Sequence, residues 1–173
     1  MPFHSPPIEI IPVSPADYDK LRKMARSIWS EAYSKLISAD QIEYMIQLMY
    51  APETISSEVE SQGIHYQWIS QNGEKIGYFA YGPVKRARSC SLHKLYILPA
   101  HHGRGFASAA LNWLFRRLES AEVHRLDLRV NRENESAIRC YERNGFIKVG
   151  EDCLDIGSGY VMDDFLMSRT IPS

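Results

Sequence analysis

Residues 92–111, LHKLYILPAHHGRGFASAAL, constrain this chain more than any other stretch. Apolar Leu92, Leu95, Tyr96, Ile97 and Leu98 predict a buried strand, and Pro99 ends it. Gly103 and Gly105 fall in the loop that follows, and residues 106–118 are rich in Ala and Leu, which favours helix. A strand, a glycine loop and a helix in that order aim several backbone N–H groups at one point beside the positive end of a helix dipole. Phosphate oxygens bind at such a point. The missing side chains at Gly103 and Gly105 let an anion approach the backbone closely. The unit therefore predicts a protein that holds a phosphorylated cofactor or substrate.

The rest of the chain supplies a domain around that unit. A length of 173 residues, 45% hydrophobic and 24% charged, predicts one soluble domain over residues 1–173 with a substantial core. A net charge of -1 gives no electrostatic case for nucleic acid or an anionic membrane as partner. No apolar run approaches the roughly 18 residues that span a bilayer, and the start, MPFHSPPIEI, does not read as a signal peptide. Cys90, Cys140 and Cys153 are odd in number and unpatterned. They predict free thiols in a reducing cytoplasm, not a disulfide framework or zinc site. The pair His101 and His102 has no carboxylate or cysteine at ligand spacing, so no metal is expected.

Element signals run in a clear order. Residues 8–13 predict a first strand. Ser14, Pro15 and Asp17 form a helix start ahead of Leu21, Met24, Ala25 and Ile28 at helical spacing. Ser38 with Gln41 resembles a capping box before Ile42, Met45, Ile46 and Met49. Pro52 opens a third helix that stops near Gly63. Residues 64–70 and 75–83 predict a hairpin about Asn72-Gly73. Beyond the glycine loop come a strand at Leu126, Leu128 and Val130, a helix over 134–144, and strands over 146–149 and 160–167. The order β, helices, hairpin, β, α, β, α, β, β predicts an α/β (α+β) fold with a mixed sheet and helices on its faces.

A second motif lies in residues 128–146, LRVNRENESAIRCYERNGF. Together with residues 102–107 it resembles the GNAT superfamily of acetyl-CoA-dependent N-acetyltransferases. That family's acyl-CoA loop, Gln/Arg-x-x-Gly-x-Gly/Ala, corresponds to His102, Gly103, Arg104, Gly105, Phe106 and Ala107. His102 replaces the usual Gln or Arg, and because the loop works mainly through backbone amides the change costs little. The downstream pattern matches Leu128, Val130, Asn134, Ala137, Tyr141, Gly145 and Phe146. The similarity covers about residues 64–170, and residues 14–63 fit as acceptor-side helices by element order alone. The ending IGSGYVMDDFLM is loosely similar to a bacterial branch that includes spermidine/spermine acetyltransferases.

The resemblance implies a mostly antiparallel central sheet with one splayed strand pair, and a direct attack of a primary amine on acetyl-CoA in a ternary complex. No side-chain nucleophile is then needed. A thiol of pKa ~8.5 leaves readily if a phenol protonates it. Tyr141 stands in the family's general-acid position. Asn134 and Ala137 stand where the cofactor arm is held, and Leu95, Tyr96 and Ile97 where backbone groups pair with pantetheine and polarise the thioester. His93 resembles the base histidine of one branch, and its unperturbed pKa of ~6.5 suits that task. Glu31 and Tyr33 lie in the segment that covers the acceptor, where they are expected to bind substrate or serve as alternative bases. Asp152, Asp155, Asp163 and Asp164 favour a cationic acceptor, such as a polyamine or another small amine, if they face the cleft. A homodimer is compatible with the family.

Two other functions fit parts of the sequence. Gly103, Gly105 and Ser108 nearly make G-x-G-x-x-G, with Asp127 at about the distance of a ribose-binding acid, as in a dinucleotide-binding oxidoreductase. The preceding hairpin and the unused Asn134 and Tyr141 speak against it. A non-catalytic acyl-CoA-binding module on the same fold is the other alternative. No Gly-Lys-Ser/Thr follows the loop, which excludes a P-loop kinase.

Overall fold

The computed structural model describes residues 6–172. Among them are seven strands and five α-helices. The strands are β1 (Glu9–Pro12), β2 (His65–Gln71), β3 (Glu74–Tyr81), β4 (Ser89–Ile97), β5 (Arg125–Asn131), β6 (Ile147–Gly157) and β7 (Tyr160–Thr170). The helices are α1 (Tyr18–Ala32), α2 (Ala39–Tyr50), α3 (Pro52–Ser61), α4 (Phe106–Ser120) and α5 (Glu135–Arg143). The strand order is β1-β2-β3-β4-β5-β7-β6, so the expected mixed, mostly antiparallel α/β sheet is present. Its parallel pair is β4 with β5.

The described residues form two compact units, 6–83 with Lys94–Ala110, and Val84–His93 with 111–172. The first unit contains β1 to β3 and α1 to α3. Asn72 and Gly73 both have positive φ, 51° and 79°, as the tight turn between β2 and β3 requires. Leu21, Ala25 and Ile28 of α1, Ile42 and Ile46 of α2 and Ile55 of α3 are buried, as are Trp68, Ile76, Tyr78 and Phe79 of the hairpin. Each Leu or Ile among them contributes about 1.5–3 kcal/mol by leaving water. The Ser38 hydroxyl accepts the Gln41 N–H and caps α2. Ser14 differs from expectation: its side chain makes no cap, and residues Pro15–Asp17 form a 3-10 turn before α1 begins at Tyr18. Asp17 instead takes the Lys75 ammonium at 2.8 Å, which tethers this turn to β3.

Gly77 on β3 marks a close approach. A Cβ there would lie 2.3 Å from the Tyr96 carbonyl oxygen and 2.9 Å from Ile97 Cδ1, so glycine alone fits.

The second unit contains the first half of β4, β5, α5, β6, β7 and most of α4. The β4–β5 ladder runs from Ser89↔Arg125 to Leu92↔Leu128 and ends there, although β4 continues to Ile97. Leu111, Leu114 and Leu118 of α4, with Leu126, Leu128, Val130, Phe146 and Met167, are buried. β6 is far longer than the four residues expected at 146–149. Nine of its eleven residues are exposed, so it has no buried face and leaves no alternation to read.

Candidate active site

The glycine loop lies in the first unit. Pro99–His101 form a 3-10 turn, with the His101 and His102 N–H groups donating to the Leu98 and Pro99 carbonyls. His102 Nε2–H donates to the Ile97 carbonyl at 2.7 Å, folding the loop onto the end of β4. Gly103 and Gly105 then take φ of 72° and 81°, in the left-handed region that side chains disfavour. A Cβ at 103 would meet nothing within 4 Å, and one at 105 would touch only Pro6 Cδ, at 3.4 Å. The helical ladder starts with Ala109 N–H on the Gly105 carbonyl. The backbone N–H groups of residues 103–107 find no acceptor among the described residues. Phe106 is buried and anchors the first turn of α4, while His102, Gly103, Arg104 and Gly105 are exposed. An open loop with unsatisfied donors at a helix N-terminus fits a phosphate or pyrophosphate.

Beside the second half of β4 stands an aromatic wall in the same unit. Trp29 near the end of α1 meets Tyr33, Tyr50 and Tyr96 at ring separations of 5.5, 5.6 and 5.7 Å. Tyr78 of β3 lies 5.6 Å from Tyr96, and its hydroxyl is 2.7 Å from that of Tyr50. Trp29, Tyr50 and Tyr78 are buried, whereas Tyr33 and Tyr96 are half-buried, with hydroxyls 3.4 Å apart. Burial pushes the Tyr50 and Tyr78 phenols up, so both remain protonated. Glu31, two residues before Tyr33, is exposed and forms no ion pair among the described residues.

The wall continues into a polar triad, Lys94 and Tyr66 buried and Glu58 half-buried, that no local pattern announces. Lys94 on β4 is only 9% exposed. Its ammonium donates to the Tyr66 hydroxyl and to the Met49 carbonyl, and the Tyr66 hydroxyl in turn donates to Glu58. Lys94 Nζ also stands 4.2 Å from the Tyr50 ring centre and 4.8 Å from that of Tyr66. Burial drives the lysine down to about 8, opposed by the Glu58 carboxylate 3.7 Å away. Burial, then the bond to Glu58, pushes the Tyr66 phenol up.

The second motif lies in the second unit. Asn134 caps α5, its Oδ1 accepting the Ala137 N–H at 3.2 Å, so two of the motif residues serve one helix start. Tyr141 lies two turns along that helix, 9% exposed and edge-on to Phe146 at 5.5 Å. His93, the residue before Lys94, is exposed on β4. The acids of the terminal hairpin are engaged. Arg129 binds Asp164 at 3.0 Å and Asp152 at 2.6 Å. Arg132 binds Asp163 at 2.8 Å and Glu151 at 3.3 Å, and Lys148 binds Glu151 at 2.6 Å. Asp155 accepts the Gly157 N–H at the turn.

Within the first unit the structure thus brings Tyr33 to Tyr96 and sets both at the edge of a wall that also includes Trp29, Tyr50 and Tyr78. No local motif assigns a role to the Tyr96 side chain, to Tyr78 or to Lys94. The period-2 spacing of Lys94 and Tyr96 along β4 was the available signal, since it sets both on one face.

Comparison with known proteins bears on the family and the fold. Residues 19–146 match the model of the Acetyltransferase (GNAT) family. An uncharacterised N-acetyltransferase of Mycobacterium tuberculosis is 32% identical over 84 residues, 49% of this chain and 53% of that protein. The chain thus matches about half the length of this curated relative. Among solved structures, the PaiA N-acetyltransferase of Thermoplasma acidophilum in complex with coenzyme A superposes with a TM-score of 0.79 at 24% identity. That match covers 95% of this chain and 99% of the other. A spermidine N-acetyltransferase of Vibrio cholerae in complex with CoA and spermine gives 0.69 at 17% identity, with 95% of each chain covered. At these identities the superpositions establish the fold.

Proposed function

We propose, from the premise that this chain belongs to the GNAT family of acetyltransferases, that it transfers an acetyl group from acetyl-CoA to a primary amine. The observation that carries this reading is the open loop at residues 103–107, whose five backbone N–H groups find no acceptor among the described residues at the start of α4. Acetyl-CoA, when bound, supplies the activated acetyl group, a pyrophosphate and a thiolate leaving group. Residues 102–107 hold the pyrophosphate through backbone N–H groups and the α4 dipole. Leu95, Tyr96 and Ile97 pair with the pantetheine arm, and one of their N–H groups polarises the thioester carbonyl. The end of the β4–β5 ladder at Leu92 supports this role.

Asn134 spends its Oδ1 on the helix cap and offers its amide N–H groups to the cofactor arm, beside Ala137. Tyr141 gives its phenolic proton to the departing sulfur as the new N–C bond forms and the C–S bond breaks. His93 takes the proton released by the acceptor nitrogen, and solvent returns a proton to Tyr141. Glu31 and Tyr33 flank the acceptor. Cys90, Cys140 and Cys153, which form no disulfide among the described residues, support a reducing, cytoplasmic setting.

Calorimetric titration with acetyl-CoA, and in parallel with NAD and NADP, tests the proposal. Acetyl-CoA is expected to bind in the micromolar range and the dinucleotides not at all. Gly105→Val is expected to keep its circular dichroism spectrum and lose that binding, because a β-branched residue resists φ near 81° and crowds the loop. Binding of dinucleotide alone would overturn the transferase in favour of an oxidoreductase. Undiminished binding by the folded variant would remove the loop from the cofactor site.

A further inference from the structure

We propose that the second unit holds a binding site for a small organic carboxylate with an apolar body, in a cleft at the end of β7 that no step of the acetyl transfer uses. The cleft has a volume of about 660 Å³, and its lining includes Asn112, Arg143, Ile147, Val149, Arg169 and Thr170. Sites for small molecules fall in this range of size. All of these residues belong to the second unit.

The sheet itself opens the cleft. The β5–β7 ladder runs on to Arg125↔Thr170, but β6 begins only at Ile147, opposite Ser168. From Arg169 onward β7 therefore has no strand on its β6 side. The Ile171 N–H donates to the His124 carbonyl on the β5 side. The Thr170 N–H, one residue back, then turns toward the notch, because successive residues of an antiparallel strand face opposite neighbours. It finds no backbone acceptor among the described residues.

Arg169 is held in place at this notch. Its Cζ lies 3.7 Å from the centre of the Phe115 ring, and its Nη1 donates to the Asn144 carbonyl. A Cβ at Gly145 would come within 3.5 Å of the guanidinium, so the backbone packs directly against it. Its Nε and Nη2 make no hydrogen bond among the described residues. Those two donors form the side-on fork that a carboxylate takes with two parallel bonds.

The charge balance points the same way. Four cations stand on β5, β6 and β7. Arg125 binds Asp127 at 3.0 Å, Arg129 binds Asp152 at 2.6 Å, and Lys148 binds Glu151 at 2.6 Å. Arg169 alone of the four has no carboxylate among the described residues, and the exposed Arg143 across the cleft has none either. No Asp or Glu lines the cleft among the described residues. A preoriented fork, a second arginine and a free backbone N–H call for an oxyanion. Ile147 and Val149, 66% and 60% exposed, offer apolar surface to the body that carries it.

Calorimetric titration of the full chain with phenylpropionate, phenylpropanol and phenyl phosphate, in a low-chloride buffer, tests the site. Phenylpropionate is expected to bind with a millimolar or tighter Kd, and the uncharged alcohol about tenfold more weakly or not at all. Arg169→Lys keeps the charge and loses the fork. It is expected to weaken phenylpropionate about tenfold and to leave the acetyl-CoA Kd within twofold. Ile147→Glu, at an exposed position, sets a like charge at the cleft and is expected to weaken the probe similarly. That variant decides the matter if Arg169→Lys does not fold. Absence of phenylpropionate binding, or undiminished binding by the folded variants, overturns the site. Equal binding of the alcohol, or tighter binding of phenyl phosphate, overturns the ligand class. Displacement of the probe by acetyl-CoA, or a weakened acetyl-CoA Kd in Arg169→Lys, makes the cleft an arm of the cofactor site and overturns the proposal as well.

Discussion

Lys94 shows what one buried charge does to the behaviour of a protein. Its ammonium faces Tyr66, Tyr50, Glu58 and the Met49 carbonyl, and burial lowers its pKa from 10.5 to about 8. Between those values the unfolded chain binds a proton that the folded protein has released, so stability rises with pH across this window. Below pH 8 both states are protonated and this group adds no slope. Urea unfolding at pH 7.5, 8.5 and 9.5 is expected to show the native protein gaining on Lys94→Met by up to about 1.4 kcal/mol per pH unit above 8. Parallel curves for the two proteins would refute it.

Tyr141 carries the second prediction at this scale. Tyr141→Phe keeps the ring against Phe146 and removes only the proton donor. We expect kcat to fall at least tenfold while the acetyl-CoA Kd stays within twofold. A weakened Kd with unchanged kcat would make Tyr141 a packing residue.

At the scale of elements, legibility in the sequence followed burial on one side. The run into Pro99 is mostly buried, the Ala-rich α4 buries one face, and Asn72-Gly73 is an exposed turn with its own local signal, so all three are legible to within a few residues. β6 runs past the expected 146–149 because water lies on both its faces and leaves no alternation to read, so Asp152 and Asp155 fall on a strand beyond that range. Ser14 carried the composition of a cap, but the 3-10 turn after it and the Asp17–Lys75 pair fix that corner instead. The glycine loop was legible because its chemistry is local in sequence. The aromatic wall was not, because its members come from α1, the segment after it, α2, β3 and β4, and only the fold assembles them.

For the whole molecule, the order of elements predicts the α/β fold that is observed, while the division into two compact units, with β4 contributing to both, has no marker in the chain. A ligand that binds the folded state alone stabilises all of it by mass action. At a hundred times its Kd, acetyl-CoA should add about 2.7 kcal/mol and raise Tm by roughly 5–10 °C for a chain of this size. Differential scanning calorimetry is expected to show that rise for the native protein and none for Gly105→Val. An equal rise in both would place the stabilising contact elsewhere.

β6 closes the strand order, with Ile147 and Val149 more than half exposed on it and Lys148, Glu151 and Asp152 interspersed. Those charges are what keeps such an edge from pairing with its like. A concentrated stock in high salt screens them. The purified protein should therefore be kept dilute and at low ionic strength, and turbidity on the shelf is to be traced first to this hairpin.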